Sequence, residues 1–288
     1  MTTLGYDLHF HSQHSDGRHR PARLARILAD RGIQVAALTD HDTLGGFPEF
    51  LVAATTLGIT TIPALELTTW LDAGSEGCEV HILAYGLRID EELAVAISGI
   101  KRQRNELHRR ICEGVVAQGY DFDFQQLLRR AEPDPVMLSH YVWDYVLRHP
   151  AWATISIVTG SLKRWLDRFE TEVIGPGGKA YIPPPLSFAD GIAWARKHGA
   201  LAVVAHPRKI NAGKLREATL AANVDGFEVF YEGQEEMQAE LLDIVKQRDL
   251  VATGGSDWHG YFRGPYPGWS MPRESVNRLL ERLGLSPL

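Results

Sequence analysis

The sequence predicts an α/β protein: parallel strands covered by helices, with a long helical segment inserted between two such stretches. Three observations carry this. Short β-rich runs alternate with helical patterns through the first hundred residues, the same alternation resumes near residue 187, and the residues between read as helices only.

In the first stretch YDLHFH, IQVAALTDH, ITTIPALEL and EVHILAYGL read as strands, and PARLARILADRG and GFPEFLVAATTLG as helices. Pro21 suits a first helical turn, and Gly32 and Gly58 stand where helix C-caps are expected. In the second stretch the helix SFADGIAWARKHG leads to ALAVVAHP. A helix from about 213, GFEVFY, a helix from about 234 and LVATGGSDWH follow. The strand-bearing portions are therefore 1–90 and 176–288. Residues 91–175 form the helical insertion, expected to lie over one end of the strands as a lid.

A chain of 288 residues accommodates one barrel or two small domains. Its 44% hydrophobic and 23% charged content is that of a globular protein, and no apolar run approaches the roughly 20 residues of a membrane span. The start MTTLGYDLHF lacks the pattern of a secretory signal, and Cys78 and Cys112 stand far apart, so a reducing cytoplasm is expected. A net charge of −6 argues against broad duplex nucleic-acid binding, which needs a basic surface, but leaves room for a local cationic pocket.

The chemistry is concentrated at strand ends. Strand residues i and i+2 share a face about 6.6 Å apart, so His9 and His11 can point to one site, and Asp257 and His259 in GGSDWHG repeat the device. Asp40 and His41 in LTDHDT, Glu66 in PALEL, His81 in EVHIL and His206 in VVAHP also fall at strand ends. That placement matches the carboxyl-terminal face of a barrel. Singly, each has a plainer explanation: His81 as a core histidine, Asp16 in SDG as a turn residue, Asp42 as a helix cap, Asp40 as a brace. Together, so many buried imidazoles and carboxylates would be costly without partners, and a shared cation cluster supplies them all at once. His14, His19, His108, His149 and His198 lie in loops or helices, where solvated positions are expected.

HFHSQHSDG, LTDHDT, PALE, the isolated His81, AHP and GSDWH, in that order, resemble the successive motifs of the polymerase-and-histidinol-phosphatase (PHP) family of metal-dependent phosphoesterases. The resemblance implies a distorted (β/α)7 barrel, TIM-like, holding two or three divalent ions (Mn, Fe or Zn). It implies that His9, His11, Glu66 and Asp257 hold one ion, that Glu66, His81 and His206 hold a second, and that Asp16, His41 and His259 hold a third, with Glu66 bridging. Three ions of four to six coordination offer about 12–18 positions, of which nine side chains fill only about ten, leaving places for water or substrate. A hydroxide between the ions would then be the nucleophile, and Asp40 would hydrogen-bond a ligand histidine from outside the cluster.

The helical insertion resembles that of the nucleotide-phosphatase branch, which includes 3',5'-bisphosphate phosphatases and 5'-3' exoribonucleases. That resemblance places His140, in VMLSHYVWDYVL, near a substrate phosphate, but Leu138 stands where those relatives carry an arginine. Lys179 and Arg208 are the remaining cationic candidates for substrate binding. Catalytic roles would thus fall on Glu66, Asp257 and His140. The expected activity is hydrolysis of a phosphate monoester on a small nucleotide or a short oligonucleotide end. Histidinol phosphate is the alternative substrate. A non-catalytic metal-stabilised module and an amidohydrolase are the alternatives of other classes, the first disfavoured because no ligand is lost and the second because no metal-bridging lysine is evident.

Overall fold

A computed structural model describes residues 5–74, 76–148, 164–165, 168–175, 177–210, 213–260 and 265–288. The chain divides into two compact units, Met1–Ile97 with Leu186–Leu288, and Ser98–Pro185. His149 lies outside the described residues.

In the first unit β1 (Gly5–Phe10), β2 (Ile33–Leu38) and β3 (Thr60–Thr61) make a parallel sheet in that order. A second sheet runs β4 (Ala64–Ala73), β5 (Glu76–Tyr85), β6 (Leu201–Val204), β7 (Gly226–Phe230), β8 (Val251–Gly254). Apart from Gln34, β2 is an apolar run with both faces buried, one against helices and the other in a core shared with the strands of the second sheet. Val35 and Ala37 join Tyr6, Leu8, Leu83, Val203 and Val251 in one core cluster, while Ile33, Ala36 and Leu38 join a second. The second cluster is completed by Leu24, Ala25 and Leu28 of α1 (Pro21–Asp30) and by Phe50 and Ala54 of α2 (Phe47–Thr56), whose apolar residues recur at helical spacing. Pro21 does open α1 at its first turn, and Gly32 follows its end at φ 74°.

The strands are not all parallel: β5 runs antiparallel to both β4 and β6. The cause is local. Two residues separate β4 from β5, and Gly74 takes a φ of 79°, so the chain reverses as a hairpin. A parallel neighbour would need a crossover of a dozen or more residues. The ladders also do not close into one hydrogen-bonded ring. Instead the two sheets meet through isolated parallel bridges, Phe10 with Trp258 and His41 with Glu66. Around those bridges the ladder is broken by a register shift in β1 and by positive φ at Asp42 (56°) and Asp257 (49°).

The long α3 (Glu91–Ala117) leads into the second unit, where α4 (Phe124–Ala131) and α5 (Leu138–Arg148) follow. Leu107, Ile111 and Val115, four residues apart along α3, bury against Leu127, Tyr141, Phe169 and Val173 as this unit's own core. His108 is buried here, 2% exposed, rather than solvated as expected, because its turn of α3 faces Tyr141. Back in the first unit come α6 (Phe188–Lys197), α7 (Lys214–Ala221), α8 (Glu235–Gln247) and α9 (Arg273–Arg282). His198, the C-cap of α6, is likewise buried, its ring tilted against Trp194. His14 and His19 are half-buried.

Gly254 and Gly255 let the end of β8 approach its neighbours closely: a methyl on Gly255 would strike the His9 backbone. Gly255→Ala should therefore cost about 1–3 kcal/mol by overpacking, seen as a lower urea midpoint. An unchanged midpoint would show that β1 and β8 do not need this approach.

Candidate metal centre

β1, β2, β6 and β8 deliver ionisable residues at or just past their ends, Glu66 comes from near the start of β4, and His81, expected at a strand end, comes from the middle of β5 because the hairpin extends that strand to Tyr85. The His9–His11 pair follows the strand alternation expected from sequence, and both rings are fully buried. Glu66, in β4 and 0% exposed, is the centre of the cluster. Its Oε2 lies 3.0 Å from His9 Nε2, 3.2 Å from His11 Nε2 and 3.5 Å from His41 Nδ1. Its Oε1 lies 2.9 Å from His81 Nδ1 and 3.1 Å from His206 Nε2.

Asp257 Oδ1 lies 3.2 Å from His11 Nε2 and 3.5 Å from His9 Nε2. On the opposite side Asp16 lies 3.2 Å from His259 Nε2, 3.6 Å from His11 Nδ1 and 3.8 Å from His41 Nε2. Three groups of donor atoms are thus close enough to share a cation: His9, His11, Glu66 and Asp257; His11, Asp16, His41 and His259; and His41, Glu66 and His81. All nine residues singled out from sequence come together, although His11 and His41 each stand between two groups and His206, in none of the three, reaches the cluster through Glu66 at 3.1 Å and the rings of His9 and His81.

The donor set fits divalent cations. Both ring nitrogens of His11 and Nδ1 of His41 are buried with no hydrogen-bond partner, which is costly unless something else satisfies them. Neutral imidazole and carboxylate are also what such ions take. His206 and Asp257 hold φ of 28° and 49°, conformations unfavourable to side-chain-bearing residues and retained where the surroundings enforce them.

Outside the cluster several residues orient it. Glu228, fully buried in β7, accepts from His9 Nδ1 at 2.9 Å and from the His206 backbone N–H at 2.7 Å. Asp7 accepts from Ser256 N–H, Ser256 Oγ and Tyr266 OH, tying β1 to the chain after β8. Asp257 Oδ2 accepts from Lys209 Nζ at 3.0 Å and Tyr231 OH at 2.9 Å. Asp40, expected to hydrogen-bond a ligand histidine, instead accepts from Ser12 N–H, Ser12 Oγ and Ser15 Oγ at 2.6–2.7 Å and so fixes the turn leading to Asp16. Asp42, expected to cap α2, takes the Thr68 backbone N–H at 2.9 Å, and Gly46 occupies the cap.

Glu228, Lys209 and Tyr231 are the residues that sequence reasoning missed. A glutamate inside the otherwise apolar GFEVF was the available signal for Glu228. Lys209 stands next to Arg208, and only the 3₁₀ turn Pro207–Lys209 determines which of the two faces the cluster. The Arg208 guanidinium turns to Gly233 O at 3.3 Å and over the Tyr231 ring. His140, in α5, accepts the Met137 N–H on Nδ1 at 2.8 Å. Lys179 follows the π-helical turn Glu170–Ile174, its backbone N–H donating to Glu172 O. Both belong to the helical unit.

The electrostatics follow from crowding. Burial alone would raise Glu66, but the imidazoles of His41, His9 and His81 hold it well below the usual carboxylate range. Burial likewise would lower His11 and His81. For His11 the nearby carboxylates of Asp257, Glu66 and Asp16 outweigh it and raise the ring to about 10. Glu66 and Glu79 raise His81 to about 9. Burial prevails for His41, pushed down to about 3, and for His206, down to about 4.

The carboxylates of Glu228, Glu66 and Asp257 likewise outweigh burial at His9 and hold it well above its ordinary value. His9, His11 and His81 therefore carry protons at neutral pH when no cation is bound, and a cation must displace them. Metal loading near pH 7 should release about three protons per chain, and apparent affinity should fall as pH drops. Calorimetry in buffers of different ionisation enthalpy measures this, and loading without proton release would contradict the donor assignment.

Residues 7–146 match the PHP domain. The chain is 26% identical to a phosphoribosyl 1,2-cyclic phosphate 1,2-diphosphodiesterase of Eggerthella lenta, over 92% of this chain and 98% of the relative. It is 28% identical to a 3',5'-nucleoside bisphosphate phosphatase of Chromobacterium violaceum, covering 88% and 86%. To a 5'-3' exoribonuclease of Haemophilus influenzae it is 29% identical, covering 89% and 90%. Among solved structures it is similar to a Bifidobacterium adolescentis protein provisionally classed as a metal-dependent phosphoesterase, with a TM-score of 0.76, 26% identity and coverage of 97% and 96%. The ordered motifs, the His–carboxylate cluster they build and the match over residues 7–146 agree on a PHP domain in this chain.

Proposed function

We propose that the protein is a metal-dependent phosphoesterase that hydrolyses a phosphate monoester of a small nucleotide, such as a 3',5'-bisphosphate, or of a short oligonucleotide end. The observation that carries this is the Glu66 carboxylate, fully buried, with three imidazoles within 3.5 Å of Oε2 and two within 3.1 Å of Oε1. One relative named above is a nucleoside bisphosphate phosphatase by name, and another, a 5'-3' exoribonuclease, acts on RNA from its 5' end.

His9, His11, Glu66 and Asp257 would hold one ion, Glu66, His81 and His206 a second, and Asp16, His41 and His259 a third; Mn, Fe and Zn all suit these donors. Such ions, when bound, neutralise phosphate oxygens and acidify water. The chain's own residues do the positioning. Glu228 fixes His9 in one orientation, and Lys209 and Tyr231 fix Asp257. Lys209 Nζ also places a positive charge beside the cluster, where it can meet a phosphate oxygen.

The cluster is closed at its base, partly exposed at His41 and His81, and most exposed at Asp16 and His259. His9, His11 and Glu66 side chains are 0% exposed, whereas Asp16 is 28% and His259 24% exposed, so substrate would enter past Asp16 and His259. His140 of the helical insertion 91–175, together with Lys179 and Arg208, is assigned from sequence to substrate phosphate. The distorted (β/α)7 barrel remains the architecture that best accounts for strand ends converging on one site. No helix among the described residues is long and apolar enough to cross a membrane, and a cytoplasmic location is part of this proposal.

Glu66→Gln should remove at least about 100-fold of phosphate release while leaving the circular dichroism spectrum unchanged, because it deletes a charge shared by several ligands at nearly constant volume. Activity within about tenfold of the parent would refute the central role of Glu66. On the parent protein, adenosine 3',5'-bisphosphate or a 5'-phosphorylated short RNA should exceed histidinol phosphate and 4-nitrophenyl phosphate in kcat/KM by about tenfold or more. A preference for histidinol phosphate, or for a ribosyl cyclic phosphodiester, would replace the nucleotide monoester reading.

A further inference from the structure

A cavity of about 500 Å³ lies between α1 and the chain that follows β8. Arg18, Arg23 and Arg31 line it with His19, Trp258 and Tyr266. None of the three arginines makes a side-chain ion pair or hydrogen bond among the described residues, and the carboxylate on the same wall, Asp30, pairs with none of them. In a chain of net charge −6, three unpaired guanidinium groups around one cavity are an arrangement that an anion would relieve. Burial and the Arg23 and Arg18 charges hold His19 below its ordinary value, with no carboxylate offsetting them.

The aromatic wall is already filled. His19 lies against Trp258 at 5.2 Å, and Tyr266 meets Trp258 edge-on at 5.4 Å while donating its hydroxyl to Asp7. Trp258 and Tyr266 are 4% and 3% exposed, which leaves no ring face for a base to stack on. The features left to recognise a ligand are the guanidinium forks, whose planar paired N–H groups match phosphate.

The cavity backs onto the chain segments that carry cluster residues. Trp258 and Gly260 alternate with Asp257 and His259, and Arg18 N–H donates to His259 O at 2.8 Å, joining the turn after Asp16 to the segment after β8. We propose that this cavity is a second, phosphate-binding site, separate from the metal centre and built by Arg18, Arg23 and Arg31. The phosphate comes either from a neighbouring position of the nucleotide chain held at the metal centre, which rests on the function proposed above, or from a separate phosphate compound.

Equilibrium dialysis of radiolabelled inorganic phosphate against the metal-loaded protein tests it. The parent should bind two phosphates per chain. The Arg23→Gln/Arg31→Gln variant, altered at two exposed residues, should bind one and keep its hydrolysis of 4-nitrophenyl phosphate. The second arm compares 5'-phosphorylated oligoribonucleotides of increasing length. If the site takes a backbone phosphate, KM falls with length by about tenfold in the parent, the scale of one charge-assisted contact, and stays flat in the variant. If it takes a separate compound, the two length series coincide while the phosphate counts differ. Equal phosphate counts together with coincident length series overturn the proposal. A parent protein that releases no phosphate from any nucleotide would refute the proposed function and leave the dialysis count as a test of the site.

Discussion

The structure of the site depends on one buried carboxylate. Glu66 has no exposed surface, and a bare charge there would be expelled or neutralised. It is kept ionised by the ring of imidazoles that β1, β2, β5 and β6 bring to it. Those imidazoles are equally committed: His11 has neither nitrogen in a hydrogen bond and His41 lacks one at Nδ1. In such a cluster each partner needs the others and some donors still lack a partner, which is what a shared cation would supply.

The surrounding fold can be understood as the means of holding that cluster. The sheets meet through bridges at Phe10–Trp258 and His41–Glu66, next to or within the cluster itself, so ligand position and sheet association are the same contacts. The glycines after β8 permit the approach of His9 to that segment, and the buried Asp7–Ser256–Tyr266 hydrogen bonds lock it. Positive φ at His206 and Asp257 shows backbone strain located where the side chains must be aimed. Glu228 and Asp40 divide the supporting work: one orients His9 and the His206 backbone, the other fixes the turn that presents Asp16.

The cluster was legible in the sequence because its members sit in short apolar runs, where a histidine or acid is conspicuous, and because strand alternation pairs His9 with His11. The β4–β5 hairpin was less legible: the run from Ala64 to Tyr85 contains no helical pattern, yet its polar central portion, TTWLDAGSEGCE, obscured two ten-residue strands. Asp40 was given the wrong partner because a carboxylate beside a ligand histidine in sequence need not face it in space. The choice of Lys209 over Arg208 rests on the rotation of one 3₁₀ turn, which residue type does not encode. His108 and His198 were read as surface residues because a lone histidine on a helix gives no sign of which face the tertiary structure will cover.

The central claim is that Glu66 is a shared metal ligand rather than the hub of a hydrogen-bonded histidine network. Anomalous diffraction from crystals grown with manganese, collected above and below the metal edge, tests it most directly. The account predicts anomalous peaks on both sides of the Glu66 carboxylate, at about 2.0–2.3 Å from its oxygens, with His9, His11 and Asp257 among the ligands of one peak. A map without peaks there at saturating metal, with His9 and His81 still hydrogen-bonded to Glu66, would contradict it.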